Sequence, residues 1–201
     1  YAALFEVTLP ALSRLGMPFP LGGTSNHFRR SALEQVRGWD AYNVTEDADL
    51  GFRLWRSGWR LGVIDTPTLE TPPAPLRVWL PQRTRWLKGY LQTLGVHTRR
   101  PWALGPKAQL SLFLTLGMAL ISAAAYAPAV LWLLTYVIVA GVGGANPDIP
   151  VLAFYTFLLG TMSAWAHGLI GARRAGVEYD FWDMIRAPLY WSLLSLAFSH
   201  A

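Results

Sequence analysis

Residues 108–147 read AQLSLFLTLGMALISAAAYAPAVLWLLTYVIVAGVGGANP and contain no charged side chain. A second uncharged stretch covers residues 149–172. An α-helix needs about 20 apolar residues to cross the hydrocarbon core of a bilayer, so each stretch is long enough to span one. The sequence therefore predicts an α-helical membrane section in the second half of the chain.

The composition of the whole chain agrees with a membrane protein. Of its 201 residues, 53% are hydrophobic and 14% are charged, with a formal net charge of +5 and no Cys. Soluble domains carry about 25% charged residues. The composition excludes a soluble single domain, a disordered chain and a disulfide scaffold. Basic proteins often bind nucleic acid, but aromatic residues inside apolar stretches favour a membrane surface and no nucleic acid.

Positive charges flank the two apolar stretches. Arg99, Arg100 and Lys107 precede the first stretch, and Arg173 and Arg174 follow the second. Because Lys and Arg accumulate on the cytoplasmic side of a membrane protein, this pattern predicts two crossings with both basic clusters in the cytoplasm.

The predicted crossings lie at about residues 112–143 and 151–172. A helix at about residues 180–201, which mixes acidic and aromatic side chains, is predicted to lie in the cytoplasmic interface. A hairpin at Pro128 is the alternative, and it would give an odd number of crossings.

The first hundred residues carry helix, loop and strand signals. A capping-box pattern predicts a helix that begins at Ser31, and Thr45 is a suitable N-cap for a second helix. Residues 60–66 predict a strand, and residues 76–96 predict a further helix.

This succession predicts the fold class. Helix, loop, helix and strand before a membrane section are typical of an α/β domain joined to transmembrane helices. We therefore expect an α/β domain in residues 1–100 and a membrane section in residues 101–201. The chain begins at Tyr1 without Met and stops inside an apolar helical pattern, so we expect structure beyond both ends.

Three acidic residues lie directly after Thr45, namely Glu46, Asp47 and Asp49. The dipole of a helix stabilises carboxylates in its first turn by about 0.3–1 kcal/mol each, so a helix cap explains them without any function. Asp47 and Asp49 also form an Asp-x-Asp pattern, which is a weak indication of a metal site. On these residues alone, the structural explanation is favoured.

A second group lies on the helix predicted at residues 76–96. Gln82, Arg85 and Trp86 are spaced i, i+3 and i+4, so they share one helical face. An Arg fork and an amide donor suit a diphosphate, and a Trp ring offers a plane for a sugar. Arg and Trp also anchor interfacial helices at lipid headgroups, and the helix alone does not separate the two explanations.

A polar loop with paired glycines covers residues 21–27. Gly22 and Gly23 allow close approach of backbone to a ligand, and Thr24 adds a hydroxyl. A turn that simply requires glycine is the alternative. His167 lies within the second apolar stretch, where a hydrogen bond between helices is its expected role.

The order of these motifs resembles the C-terminal half of the membrane-embedded family 2 glycosyltransferases of the cellulose synthase-like group. Thr45-Glu46-Asp47 matches the Thr-Glu-Asp motif of that family, and residues 82–86 match its Gln-x-x-Arg-Trp motif. The loop at residues 21–24 lies where cellulose synthases carry Phe-Phe-Cys-Gly-Ser, with only Gly23 identical.

The resemblance implies a GT-A-like fold for residues 1–100. It also implies a divalent metal, Mg or Mn, whose ligands would precede Tyr1, so no residue of this chain is expected to hold it. The interfacial helix at about residues 76–96 and the membrane section complete the expected arrangement, with the catalytic part on the cytoplasmic side of a multi-pass membrane protein.

The resemblance further implies roles for the motif residues. Asp47 would be the catalytic base, within a catalytic motif shared with Thr45 and Glu46. The substrate-binding residues would be Gln82, Arg85, Trp86, Gly22, Gly23 and Thr24.

The implied activity is an inverting sugar transfer from a nucleotide-diphospho-sugar, a UDP-sugar, to a growing β-linked polysaccharide. Transfer would occur at the cytoplasmic membrane face and be coupled to export, in which an export partner protein could take part. Two alternatives stay open: a non-processive transferase that glycosylates a lipid acceptor, and a non-enzymatic membrane module.

Overall fold

A computed structural model describes residues 2–66, 68–73, 75–143 and 151–201. Eight α-helices account for most of these residues: α1 (Leu9–Arg14), α2 (Arg30–Gln35), α3 (Glu46–Arg56), α4 (Leu76–Thr98), α5 (Gly105–Leu112), α6 (Met118–Gly143), α7 (Val151–Ala175) and α8 (Phe181–Ser199). Three short helical segments of other types join them: Ala3–Thr8, Pro101–Ala103 and Phe113–Gly117.

The prediction of an α/β fold is wrong for the described part of the chain, which contains helices and no strand. Residues 60–66, predicted as a strand, form no regular element. A strand is stabilised by hydrogen bonds to a neighbouring strand, and no described segment pairs with residues 60–66. Local β-propensity alone does not make a strand without such a partner.

The chain begins with a π-helical turn that runs directly into α1. The turn covers Ala3–Thr8, and Pro10 lies in the first turn of α1. Proline has no N–H to donate, and a locally widened helix accommodates it. The π-helical turn next to Pro10 is thus a local distortion of the helix.

Helix α7 packs onto this first segment. Gly171 lies so close to the backbone of Ala2 and Ala3 that a larger residue would overlap it. His167 Nε2 lies 3.2 Å from Thr8 Oγ1, and the Arg174 guanidinium donates to the Glu6 carbonyl at 3.0 Å. His167 is thus hydrogen-bonded between helices, as the sequence predicts.

Helix α8 packs between α4 and α6. Thr84 of α4 donates to the carbonyl of Ala197 at 3.2 Å. Ser195 Oγ accepts a hydrogen bond of 3.0 Å from the Ala127 N–H of α6, next to Pro128. Helix α6 continues through this proline. The alternative of a hairpin at Pro128 is therefore wrong.

One helical stretch among the described residues, Gly105–Val142, is long and apolar enough to cross a membrane. It contains nearly all of the first predicted crossing. The second predicted crossing falls on α7, which is helical, and its passage through a bilayer stays a prediction. The linker at residues 144–150 lies outside the described residues. The division into a catalytic domain and a membrane section also stays a prediction.

Candidate functional site

Asp47 lies in the first turn of α3, beside the glycine-rich loop. Its Oδ1 accepts a hydrogen bond of 2.8 Å from the Ala48 N–H. Its Oδ2 would lie 3.3 Å from a Cβ atom placed on Gly23. The missing side chain at position 23 therefore leaves the carboxylate next to bare backbone.

The surroundings of Asp47 raise the pKa of its carboxyl above the ordinary value of an aspartic acid. Partial burial is the main cause, because the charged form loses hydration, and the negative charge of Glu46 acts in the same direction. The Ala48 N–H and the positive charge of Arg85 act against it. A carboxylate with a raised pKa is a better base than an exposed one.

Arg85, whose charge acts on Asp47, lies on α4. It lies on the same helical face as Gly89, Thr93 and His97, because residues spaced by four positions are neighbours on a helix. These three residues are buried against α3 and the segment before it, whereas Arg85 is exposed one turn earlier. The positive charge of Arg85 lowers the pKa of Asp47, so Arg85 lies within electrostatic range of that carboxyl.

The contact between α3 and α4 fixes this arrangement. Thr45 is the N-cap residue of α3 by position, but its side chain makes no capping bond and lies against Gly89. Two residues before Thr45, Asn43 Nδ2 donates to Thr93 Oγ1 at 2.9 Å, and Asn43 Oδ1 accepts from the Thr45 N–H at 3.0 Å. Polar contacts therefore hold the start of α3 against the middle of α4.

Asp49 has a different environment from Asp47 and is almost fully buried. Its Oδ1 lies 2.8 Å from His97 Nε2, and its Oδ2 lies 2.5 Å from Arg53 Nε. Burial raises the pKa of Asp49, but the hydrogen bonds from His97 and Arg53 outweigh burial and leave it below the ordinary value. Both carboxylate oxygens are engaged, so Asp49 serves packing between α3 and α4.

Gln82 and Trp86 lie on the same helix as Arg85, Gln82 three residues before it and Trp86 directly after it. The Arg83 guanidinium lies 4.1 Å from the centroid of the Trp86 ring and 5.5 Å from that of Trp79. A cation thus covers part of the Trp86 ring. Gln82 Oε1 is buried and accepts no hydrogen bond within the described part of the chain.

The glycine-rich loop is held by its own polar groups. Asn26 Nδ2 donates to the Gly22 carbonyl, and Thr24 Oγ1 donates to Glu70. Gly22 lies next to the ring of Phe5. Of the three predicted loop residues, the structure therefore brings Gly23 directly to Asp47, while Thr24 is engaged by a residue of the loop before α4.

The described residues hold no group of three or more His, Asp or Glu side chains that would bind a metal ion. Asp49, the second carboxylate of the Asp-x-Asp pattern, is occupied by Arg53 and His97. The described residues therefore do not fit a metal site.

Sequence reasoning missed four residues that position the site, namely Asn43, Gly89, Thr93 and His97. The four-residue spacing from Arg85 through Gly89 and Thr93 to His97 is the signal that places three of them. Asn43 carries no such signal, since its partner lies 50 residues away in the chain.

Comparison with known proteins identifies relatives. The family model described as "Glycosyl transferase family group 2" matches residues 4–143. The "Probable glycosyltransferase YdaM" of Bacillus subtilis is 37% identical over 68 residues, which cover 33% of this chain and 16% of that protein.

Two further relatives are named for different products. The "Beta-monoglucosyldiacylglycerol synthase" of Synechocystis is 33% identical over 98 residues, or 46% of this chain and 20% of that protein. "Cellulose synthase 1" of Komagataeibacter xylinus is 36% identical over 73 residues, or 35% of this chain and 5% of that protein. The chain thus spans at most about a fifth of these relatives. No solved structure matches the chain significantly.

Proposed function

Because the chain belongs to the glycosyl transferase family group 2, we propose that it takes part in sugar transfer, with Asp47 as the general base. One observation carries this proposal. The Asp47 carboxylate lies beside Gly23, faces the charge of Arg85 and has a raised pKa. A base, a cation and an open stretch of backbone are thus gathered at the start of α3.

The proposed reaction is a single displacement at the anomeric carbon of a nucleotide-diphospho-sugar, a UDP-sugar. An acceptor hydroxyl attacks this carbon and forms the new C–O bond while the bond to the diphosphate breaks, which inverts the configuration. The hydroxyl proton passes to the Asp47 carboxylate, and the electron pair of the broken bond leaves with the diphosphate. Proton removal by a positioned base accelerates such steps about 10²–10⁴-fold.

Arg85 would neutralise the leaving diphosphate. A guanidinium presents paired N–H donors to phosphate oxygens, and Arg85 is exposed and acts electrostatically on Asp47. Its charge also lowers the pKa of Asp47 and so favours the ionised form that accepts a proton. Donor binding and base strength are therefore linked through one side chain.

Gln82, Trp86 and the glycine-rich loop would form the acceptor side. Gln82 Oε1 is a buried acceptor with no described hydrogen bond, and in the proposal it would accept one from a sugar hydroxyl when the acceptor binds. The Trp86 ring offers an apolar plane on which a sugar can stack. Gly22, Gly23 and Thr24 would line the path by which the acceptor reaches Asp47.

The apolar helix Gly105–Val142 supports a location at the membrane. We propose that the site lies at the cytoplasmic face of a multi-pass membrane protein. The membrane helices would then guide the product outward, coupled to export.

The acceptor has two candidates. A growing β-linked polysaccharide agrees with the match to a cellulose synthase. A lipid acceptor is favoured by the longer match, 98 rather than 73 residues, to a protein named as a glycolipid synthase. The two are separated by the product: incorporated label is insoluble in organic solvent for a polymer and extractable into it for a glycolipid.

The test of the proposed function is Asp47→Asn in the full-length protein. Transfer from radiolabelled UDP-sugars should fall by about 10²-fold or more, since the base is lost, while calorimetric binding of the donor stays within a factor of a few. Asp65→Asn, at an exposed loop carboxylate, is the matched control and should retain activity. Near-normal turnover in Asp47→Asn would remove its role, and absence of donor binding in the wild type would favour a non-enzymatic membrane module.

A further inference from the structure

A cavity of about 500 Å³ lies at the opposite end of α3 from Asp47. Trp55, Arg60 and Leu61, at and after the end of α3, form part of its wall. Eight residues separate Asp47 from Trp55, which is roughly 12 Å along a helix. The cavity is therefore separate from the proposed catalytic site, and its size is that of a small-molecule pocket.

Three cations and no carboxylate line this cavity. Arg14 comes from the end of α1, Arg60 from the segment after α3, and Lys107 from the first turn of α5. Within the described ranges, none of the three forms an ion pair or donates a hydrogen bond to another residue. Like charges repel at short range, so an anion in the cavity would stabilise the arrangement.

The ends of the neighbouring helices do not account for these cations. Cationic side chains often serve to neutralise the last carbonyls of a helix. Here the turn after α1 does so, with N–H bonds of 3.0 Å from Gly16 to Ser13 and 2.9 Å from Met17 to Leu12. After α3, the Trp59 N–H bonds to the Leu54 carbonyl at 3.1 Å. The three cations remain available to a ligand.

The location of Lys107 indicates the source of the ligand. It lies in the first turn of Gly105–Val142, the stretch that is apolar enough to cross a membrane. It also directly precedes the uncharged residues 108–147, and cations that flank an apolar helix are typical of the headgroup region of a membrane. Basic pockets at this level bind the phosphates of anionic lipids.

We propose that this cavity is a phosphate-binding site, filled by the headgroup of an anionic phospholipid. Arg14 and Arg60 would pair with the phosphate oxygens, since guanidinium groups bind them in a bidentate manner, and Lys107 would add a third charge. Trp55 and Leu61 would cover the glycerol portion of the headgroup. The site is independent of the sugar-transfer reaction.

Ligand-dependent thermal stability of the purified chain in uncharged detergent tests the proposal. Soluble dihexanoyl phosphatidylglycerol, dihexanoyl phosphatidylcholine and inorganic phosphate are titrated separately at constant ionic strength. Phosphatidylglycerol should raise Tm in a saturable manner, because a ligand that binds only the folded state stabilises it. Phosphatidylcholine should raise Tm little.

Three sets of variants complete the test. Arg14→Gln/Arg60→Gln/Lys107→Gln should weaken apparent affinity for phosphatidylglycerol by about tenfold or more. Arg14→Lys/Arg60→Lys/Lys107→Arg keeps the charges and should retain binding. Arg29→Gln/Arg77→Gln/Lys88→Gln removes the same charge from exposed positions outside the cavity and should respond like the wild type.

The outcomes separate the possible sources of the phosphate. A Tm rise from inorganic phosphate equal to that from phosphatidylglycerol, lost in the Gln triple variant, would support the phosphate site and assign it to a soluble ligand. A Gln triple variant that responds to phosphatidylglycerol like the wild type would overturn the proposal. So would the absence of any Tm rise in the wild type with both anionic probes.

Discussion

Gly89 of α4 lies directly against the side chain of Thr45, so close that any Cβ atom at position 89 would overlap the threonine. This contact joins two motifs that are far apart in sequence, because Asp47 follows Thr45 by two residues and Arg85 precedes Gly89 by one helical turn. The missing side chain at position 89 therefore sets how closely the proposed base and the proposed diphosphate-binding Arg approach each other.

Gly89→Ala should push Thr45 away from α4 and lower both stability and sugar transfer. Overpacking at a buried contact costs about 1–3 kcal/mol, more than the roughly 1 kcal/mol that Ala gains over Gly in a helix. Gly95→Ala is the control on the same helix, since a Cβ atom there meets nothing within 4 Å, and it should raise Tm. Thermal unfolding followed by circular dichroism measures both, and a Tm in Gly89→Ala equal to that of Gly95→Ala would contradict the close contact.

Helix positions were the more predictable part of this fold, and their caps were not. The sequence predicts a capping box at Ser31 and Glu34, but the helix begins at Arg30, and Glu34 instead pairs with Arg30 at 2.7 Å. Thr45 lies at the predicted N-cap position but makes no capping bond, because its side chain packs against Gly89 of α4 and its hydroxyl donates to Asn43 Oδ1 at 3.4 Å. Tertiary contacts outweigh local cap preferences of about 1 kcal/mol.

The strand predicted at residues 60–66 does not form, which shows that local propensity is not enough to make a strand. Val63 and Ile64 favour a strand by propensity, but that propensity reflects packing and pairing within a sheet. In the described residues no segment pairs with this one, and both side chains are exposed. The α/β prediction depended on a partner that local sequence does not reveal.

For the candidate site, the motifs were visible in the sequence and their contacts were not. Type and spacing marked Asp47 and Arg85 as candidates, and the resemblance to a family implied their roles. The pairing of Asp49 with His97 joins residues 48 positions apart, and nothing local indicates it. The raised pKa of Asp47 likewise depends on burial between segments, which the sequence alone does not give.

Asp49→Asn should destabilise the contact between α3 and α4, because Arg53 and His97 then face a neutral amide. A buried charged hydrogen bond contributes about 1–3 kcal/mol, so Tm should fall clearly at pH 7. Glu34→Gln, which removes the exposed ion pair with Arg30, is the control and should change Tm little.

The loss of stability in Asp49→Asn should depend on pH. The pKa of Asp49 is lower in the folded chain than the unfolded value of about 3.9. Its contribution to stability is therefore present above that value and lost as the pH falls through the folded pKa. The Tm difference between the wild type and Asp49→Asn should shrink at about pH 3, and an unchanged difference would contradict this assignment.

Glu46→Gln should shift the pH profile of sugar transfer toward acid. The base must be ionised, so kcat/KM falls as the pH decreases through the pKa of Asp47. The negative charge of Glu46 raises this pKa, and its removal lowers it. The acidic limb of the profile should move to lower pH, while Glu34→Gln leaves it in place. A limb that stays in place or moves upward in Glu46→Gln would argue against Asp47 as the base.

Trp86→Ala should weaken acceptor binding more than donor binding. Stacking on an aromatic ring contributes about 0.5–1.5 kcal/mol, so acceptor KM should rise about twofold to tenfold while the donor Kd stays nearly constant. Trp86→Phe keeps an aromatic plane and should restore most of the acceptor affinity. Trp102→Ala, at a tryptophan that is 77% exposed, is the control for general loss of an aromatic anchor.

The contact between Trp86 and Arg83 allows a second explanation for a defect in Trp86→Ala, namely that the ring holds Arg83 in place. The Arg83 guanidinium lies 4.1 Å from the Trp86 ring centroid and is itself buried, so Trp86→Ala also removes a cation–π contact of about 0.5–2 kcal/mol. A lower Tm with unchanged acceptor KM would assign Trp86 to holding Arg83 in place. A raised acceptor KM that Trp86→Phe reverses, measured where both variants are folded, would assign the exposed part of the ring to the sugar.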